Sequence, residues 1–491
     1  MNSFKRYIVL SISLVGIFTL GGCNKFLEEY SQDERVPKDV KEYSEILFGE
    51  AYFQDNSLPY AYLDLMTDDV KAAVNTRNTN GLDTREEAYG YFTWQENPEL
   101  GQNKALHNDR SWESLYHQIL AANVILKYMD TMTGTESDKE FLRGEAHAIR
   151  AFAYFMLANL YAAPYDPATA ASTKGVPIHS VAHAEDLQFP RATLAEVYAQ
   201  MVSDLEAGLE AFGRSHKPIS VFRWNATALS ILGSRIYLYM KDYDNAIKYA
   251  DRAMSLSPTL YDLNKKLAGD PKKEKAFFNA DNKEVAFSFG FRIPTYYASD
   301  NLAYFPPSDD LLDSYTKGDL RYYDGSGAFV TTTRVRIGGS WLRPIYAYYS
   351  KLNKSGDNSQ SLLYGNAIRN AEALLNRAEA YAESGKLREA VADLHTLAAA
   401  RYATGSAPKY PADDREAVIQ AVRNERRKEL MFEFHRWFDL RRWHQPALKH
   451  DFIVNVEDES TETYTLNAGD PRYTLPIPQA VRLSDPALTE Q

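Results

Sequence analysis

Two stretches of this chain repeat one spacing, and that spacing limits the fold more than any other feature of the sequence. Around Tyr237 the chain reads Ser234-Arg235-Ile236-Tyr237-Leu238-Tyr239-Met240-Lys241-Asp242-Tyr243-Asp244-Asn245-Ala246. Around Tyr381 it reads Asn376-Arg377-Ala378-Glu379-Ala380-Tyr381-Ala382-Glu383-Ser384-Gly385-Lys386-Leu387-Arg388-Glu389-Ala390. In both, alanine follows the tyrosine nine residues later, and apolar positions recur four and seven residues on, at Ala250 and Ala253 and at Leu394 and Leu397. Such spacing places the apolar residues on one helix face. The same period runs through Trp112, Leu115, Tyr116, Ile119, Asn123 and Leu126. Glu145 to Leu157 is apolar on almost every side, as a buried helix should be. Thr193 and Glu196 stand at the spacing of a capping box.

The repeated spacing resembles the tetratricopeptide repeat, a helix-turn-helix unit whose small residues let paired helices pack closely. Two regions break the helical pattern. From Ala51 to Leu106 aromatics and amides mix without clear period, as in Tyr89-Gly90-Tyr91-Phe92-Thr93-Trp94-Gln95-Glu96-Asn97. From about Lys265 to Gln360 aromatics gather again among Asp-, Gly- and Pro-containing turns, and Val330 to Ile337 alternates as a short strand would. The expected fold is mainly α: a tetratricopeptide-like helical repeat scaffold with irregular, aromatic-rich insertions and little β. Aperiodic stretches of this length are usually functional or disordered, and the aromatics argue against disorder. The two are expected to face the same side.

The beginning of the chain carries a different kind of information. Lys5 and Arg6 precede an apolar run from Tyr7 to Leu20, followed by Gly21-Gly22-Cys23. The run is too short to span a bilayer comfortably and reads as a secretory signal. Cys23 is the only cysteine of 491 residues, so it has no disulfide partner within the chain. Leu20-Gly21-Gly22-Cys23 resembles a bacterial lipobox, which implies a diacylated Cys23 after cleavage. Each buried methylene contributes about 0.8 kcal/mol, and two chains hold a protein to a membrane firmly. The acidic pair Glu28-Glu29 just beyond resembles the surface-export signal of Bacteroidetes lipoproteins.

Near the other end stands Asn424-Glu425-Arg426-Arg427-Lys428-Glu429-Leu430-Met431-Phe432-Glu433-Phe434-His435-Arg436-Trp437-Phe438-Asp439-Leu440-Arg441-Arg442-Trp443. It reads as one long helix with Leu430, Phe434, Trp437 and Arg441 on a face, closing the helical stack. The order of residues resembles the C-terminal signature of the SusD/RagB family of outer-membrane lipoproteins, with Phe434 in place of the usual glycine. Asn366 to Glu383, Glu145 to Tyr161 and the tail Leu475-Pro476-Ile477-Pro478 with Asp485-Pro486-Ala487-Leu488 are similar to further family segments. Laid out on that resemblance, the chain divides into a signal peptide (1–22), a lipidated tether (23–40), an N-terminal region with helical repeats (41–265), a ligand-side insertion (266–360) and the C-terminal helices and tail (361–491).

The resemblance implies a non-catalytic, cell-surface glycan binder, anchored in the outer membrane through Cys23, that caps a SusC-like TonB-dependent transporter. A peptide-capturing subunit, a surface glycosidase and a purely structural lid are the rival readings. The net charge of −11, with no compact basic block, excludes nucleic acid as a natural partner. Nucleophile-elbow, His-Glu-x-x-His and phosphate-loop motifs are absent from the sequence, and His179 and His183 stand four apart in a loop-like stretch, where a structural or surface role is expected. No catalytic residue, cofactor or metal is expected. Sugar recognition needs flat rings against sugar faces, with amides, carboxylates and guanidinium forks on the hydroxyls. Asp69, Arg77, Trp94 and Asn97 offer that set in the first aperiodic segment, where the resemblance also implies a ligand platform. Tyr296 and Trp341 are candidates from the second.

Overall fold

The computed structural model describes residues 37–53, 58–73, 82–183, 189–267, 277–279, 282–290, 305–322, 327–337, 340–349, 351, 366–455 and 457–489. Helix α1 (Val40–Ala51) begins where the Asp39 carboxylate accepts the amide protons of Lys41 and Glu42, satisfying donors that a first turn leaves free. Tyr43 and Leu47 are on its buried face, while Ile46 stays 40% exposed. The helix runs through Gly49 to Ala51. The first aperiodic segment contains a 3-10 turn (Ala61–Met66) and helix α2 (Leu82–Phe92). The α2 sequence, LDTREEAYGYF, carries no continuous apolar stripe, so its period is illegible.

The scaffold follows as α3 (Ser111–Tyr128), α4 (Glu136–Tyr161), α5 (Leu194–Arg214), α6 (Ala226–Tyr239), α7 (Tyr243–Leu256) and the short α8 (Leu263–Leu267) and α9 (Asp309–Asp313). It resumes with α10 (Asn370–Glu383), α11 (Leu387–Arg401) and α12 (Arg415–Glu429). Neighbours pack in sequence from α3 to α7, then α7 against α10, and α10 against α11 and α12. From Phe141 to Tyr161, α4 is buried apart from His147, Arg143 and Arg150. The Thr193–Glu196 capping box opens α5 in both directions, with amide-to-side-chain distances of 3.2 and 2.8 Å. One apolar core runs from Val40 to Leu488, and a second lies among α10, α11 and α12.

The repeated spacing corresponds to two helical hairpins. Helices α6 and α7 turn through Lys241 at φ +61°, and α10 and α11 turn through Gly385 at φ +78°. Ala246, Ala250 and Ala253 in one and Ala390, Leu394 and Leu397 in the other are all at most 1% exposed. The hairpins are joined by a buried ion pair, Arg235 donating to both oxygens of Glu372 at 2.5 and 2.7 Å.

The strands of the described residues form two-stranded antiparallel ribbons: β1 (Lys174–Pro177) with β2 (Arg191–Thr193), β3 (Val285–Phe289) with β6 (Asn366–Arg369), β4 (Val330–Ile337) with β5 (Ser340–Tyr349), and β7 (Leu448–Asn455) with β8 (Ser460–Leu466). The alternating stretch Val330–Ile337 is β4. The mainly α, tetratricopeptide-like fold with little β is thus what the chain adopts.

One expectation fails at the C-terminal signature. It is not a single helix: α12 stops at Glu429, and α13 (Arg436–Arg442) starts after a turn in which Phe432 and Phe434 take φ +55° and +63°. The cause is electrostatic. In a continuous helix the Glu429 carbonyl would accept the amide of Glu433. Here that carbonyl accepts from Arg369 and Lys351, and the Glu433 amide turns to Leu430. Around it Glu284, Asp319, Glu425, Glu429 and Glu433 face Arg321, Lys351, Arg369, Arg401 and Lys428, all buried. Unpaired buried charge is prohibitive; five carboxylates against five cations leave none over. Glu433 and His435 are therefore scaffold residues, as the signature's position in the stack suggests.

Candidate functional site

The site begins at the end of α2. The amide of Gln95 donates to Gly90 O and that of Trp94 to Tyr91 O, the paired bonds of a Schellman motif. Trp94 occupies its left-handed position, at φ +51°, where glycine is usual. Three contacts hold it there. Its indole Nε1 donates to Met66 O at 2.9 Å, its ring stacks on His450 at 4.2 Å, and its carbonyl accepts from Arg472 at 2.9 Å. His450 is itself sandwiched, with Phe92 on the other face at 4.2 Å. Burial pushes its pKa below the ordinary range, although the carbonyls of Phe92 and Thr67 at its two nitrogens favour the proton.

The following loop folds back on α2. A Cβ at Gly90 would stand 2.2 Å from Pro98 O, so only glycine admits this approach. Asn97 donates from Nδ2 to Gln479 Oε1 at 2.9 Å, and Glu99 accepts the Gln479 amide at 2.6 Å. These bonds tie the loop to α14 (Gln479–Ser484) in the C-terminal tail. The tail is fixed in turn at the end of α4: Leu475 N donates to Leu160 O, while Arg441 donates to the carbonyls of Asn159 and Ala162 and to Thr474. A cation at those carbonyls also suits the negative end of the helix dipole. Burial brings the Arg441 guanidinium down to about 10.

Loop and tail enclose a cleft of about 820 Å³, a size suited to a ligand of several rings. Trp94, Gln95 and Glu96 form one wall, and Asp470, Arg472, Leu475, Pro476 and Ile477 another. Tyr161 at the end of α4, Pro164 beyond it, and Lys174 and Arg191 of the first ribbon also line it. Apolar patches alternate with hydrogen-bonding groups, the combination that sugar faces and hydroxyls require.

The structure separates the sequence candidates. Trp94 lines the cleft, though only 3% exposed, and Asn97 braces the wall behind it. Asp69 is withdrawn as a ligand contact. It is 1% exposed and accepts from Arg427 Nε at 2.6 Å, and burial outweighs that partner in raising its pKa. Its neighbour Asp68, although burial opposes ionisation, is held down to about 2 by Arg436 and Arg427. Trp341 lies in β5, paired with Arg336 across the hairpin. Arg77, Tyr296 and Cys23 lie outside the described residues. Residues 305–313 of the second aperiodic region do dock on the first: Lys71 N donates to Pro306 O, Ser308 N to Asp69 O, and Phe305 meets Phe92. Sequence reasoning missed Arg191, Arg472 and the tail as cleft walls. The only cue was the proline-flanked Leu475-Pro476-Ile477-Pro478.

No group of three His, Cys, Asp or Glu residues suited to a metal exists among the described residues, and no helix among them is long and apolar enough to cross a membrane.

Comparison with known proteins gives a consistent picture from residue 25 to residue 491. Residues 25–238 match a family model described as starch-binding associating with outer membrane, and residues 238–491 match that of the SusD family. SusD-like protein P38 of Formosa agariphila is 22% identical, over 90% of this chain and 92% of its own. A SusD-like carbohydrate binding protein from Bacteroides vulgatus superposes with a TM-score of 0.67 at 20% identity, covering 92% of this chain and 98% of that one. A SusD superfamily protein from Bacteroides thetaiotaomicron gives 0.68 at 21% identity, covering 91% and 98%.

Proposed function

Because the chain belongs to the SusD family, we propose that it is a cell-surface glycan-binding lipoprotein that captures oligosaccharide and caps a SusC-like TonB-dependent transporter in the outer membrane. The observation that carries this reading is the cleft between the Trp94 loop and the C-terminal tail. It is concave, mixed in polarity, and built on a scaffold shared along nearly its full length with a protein described as carbohydrate binding. Of the carboxylates among the described lining residues, Asp470 is paired with Arg472 at 2.6 Å, which leaves Glu96 without a free carboxylate opposite it and suits binding rather than bond cleavage. Glu96, exposed on the wall, and Gln95 beside it supply hydrogen-bonding groups, while Trp94 supports the wall.

Native gels cast with a panel of neutral and acidic polysaccharides test the reading. Retarded migration without new reducing ends is the expected result, and Glu96→Ala should weaken it several-fold. Released sugar would make the protein a glycosidase, and retention of peptides alone would make it a peptide-capturing subunit. Anchoring through Cys23 is tested separately: labelled fatty acid should enter the wild-type protein and be lost in Cys23→Ala. The transporter partnership predicts that the protein co-purifies with a TonB-dependent barrel from detergent-solubilised outer membranes.

A further inference from the structure

The charge of the cleft runs against that of the chain. The protein carries a net −11, yet among the described residues the lining holds Lys174, Arg191, Arg472 and Arg482 against Glu96 and Asp470. Arg472 and Asp470 neutralise one another at 2.6 and 2.8 Å. Arg191 has no such partner. It donates to Gly175 O at 2.8 Å, Tyr161 O at 3.3 Å and Lys174 O at 3.4 Å, all uncharged, and no carboxylate lies within ion-pair distance among the described residues. Its half-burial already works against the cation, lowering its pKa. Arg482, at the tail side, has a buried Nε without a hydrogen-bond partner among the described residues. A partly desolvated guanidinium facing only dipoles gains most from an anion, and its planar fork fits a carboxylate or sulfate.

The apolar part of the lining decides what carries that anion. Pro164 and Pro476, both partly exposed, add apolar surface to the same lining, with only the edges of Leu475 and Ile477 reaching it, and the C–H face of a pyranose ring can rest there. A bare inorganic anion would leave this surface wet. We propose that the cleft takes an acidic oligosaccharide, its carboxylate or sulfate received by Arg191 with Arg482 as the second cation. This specifies the ligand class of the glycan-binding reading and rests on it.

The experiment is calorimetric titration of the full-length mature protein with three probes of equal length: a neutral gluco-oligosaccharide, an oligogalacturonide and a sulfated galacto-oligosaccharide. The expected result is binding of one or both acidic probes at least tenfold tighter than the neutral one. That preference should fall steeply between 50 mM and 500 mM NaCl and drop tenfold or more in Arg191→Gln and in Arg482→Gln. The two acidic probes distinguish carboxylate from sulfate as the recognised group. Arg191 also holds the first ribbon, so if Arg191→Gln does not fold, Arg482→Gln decides. Equal affinity for the neutral probe, or a preference that survives in the folded variants, overturns the acidic assignment and leaves the glycan-binding reading intact. No binding of any sugar, with retention of an acidic peptide instead, overturns both.

Discussion

Phe434 stands at φ +63°, buried, with its ring edge-on to Tyr60 at 5.6 Å. A left-handed conformation costs a side-chain-bearing residue about 1–2 kcal/mol, which explains why glycine is the usual residue there in the family signature. Losing a buried phenyl ring costs about 3–5 kcal/mol, the larger effect. Phe434→Gly is therefore expected to lose about 1–4 kcal/mol in urea unfolding; a more stable variant would mean the ring contributes little packing. Gly385 gives the opposite case. It turns a hairpin at φ +78° with nothing within 4 Å of an added Cβ, so Gly385→Ala should cost only the backbone strain, about 1 kcal/mol. The sequence made the missing glycine visible, but not the backbone angle that gives it meaning. Trp94 was legible as an aromatic with a polar tip; its partners His450 and Met66 were not, because nothing local in the chain points to them.

Elements whose signal is local were the legible ones. The Tyr-to-Ala spacing needs only neighbours on one helix, and both hairpins formed where it placed them. The C-terminal signature shows the limit: its period continues through Leu430 to His435, while the backbone leaves the helix to give the Glu429 carbonyl to Arg369 and Lys351. Pairing between distant elements overrode local pattern there, as it did for Asp69, whose partner Arg427 lies 358 residues away. The Arg235–Glu372 pair connects the two hairpins in the same manner, and each side chain is at most 7% exposed. Removing one partner should leave the other buried and uncompensated. Arg235→Met alone is expected to cost about 3–5 kcal/mol, whereas Arg235→Met with Glu372→Leu should recover most of that loss. A double-mutant cycle by chemical denaturation measures the difference, and a double variant as unstable as the single one would show that shape, not charge, joins the hairpins.

Across the whole molecule the response to pH is set by carboxylates displaced in opposite directions, and two of them stand four residues apart. Asp68 bridges the first aperiodic segment to the C-terminal signature, accepting from Arg436 at 2.8 and 2.7 Å and standing 3.3 Å from Arg427, and these partners hold it down to about 2. Its stabilising contribution is complete above the ordinary aspartate value of about 4 and is lost as pH falls toward 2. Asp64 is 1% exposed, with Oδ2 unpartnered among the described residues; burial and then the nearby Asp69 raise its pKa well above the ordinary value. Its sign is reversed: the protonated form suits the fold, so its contribution is complete in acid and lost as pH rises above that same value. Glu425, held down to about 2 against burial by Arg321 and Lys428, behaves as Asp68 does. Melting temperature should accordingly change little or rise slightly from pH 7 to about 5, then fall between about 4 and 2. The neighbouring pair isolates the two signs. Asp68→Asn should lower the melting temperature at pH 7, with the deficit closing toward pH 2, because the wild-type carboxylate is being protonated there anyway. Asp64→Asn, which replaces a carboxyl the fold prefers neutral, should match or exceed wild type at pH 7 and show no advantage at pH 3. Equal losses for both variants at neutral pH would mean that Asp64 is ionised inside the core, with the field of Lys351 outweighing its burial.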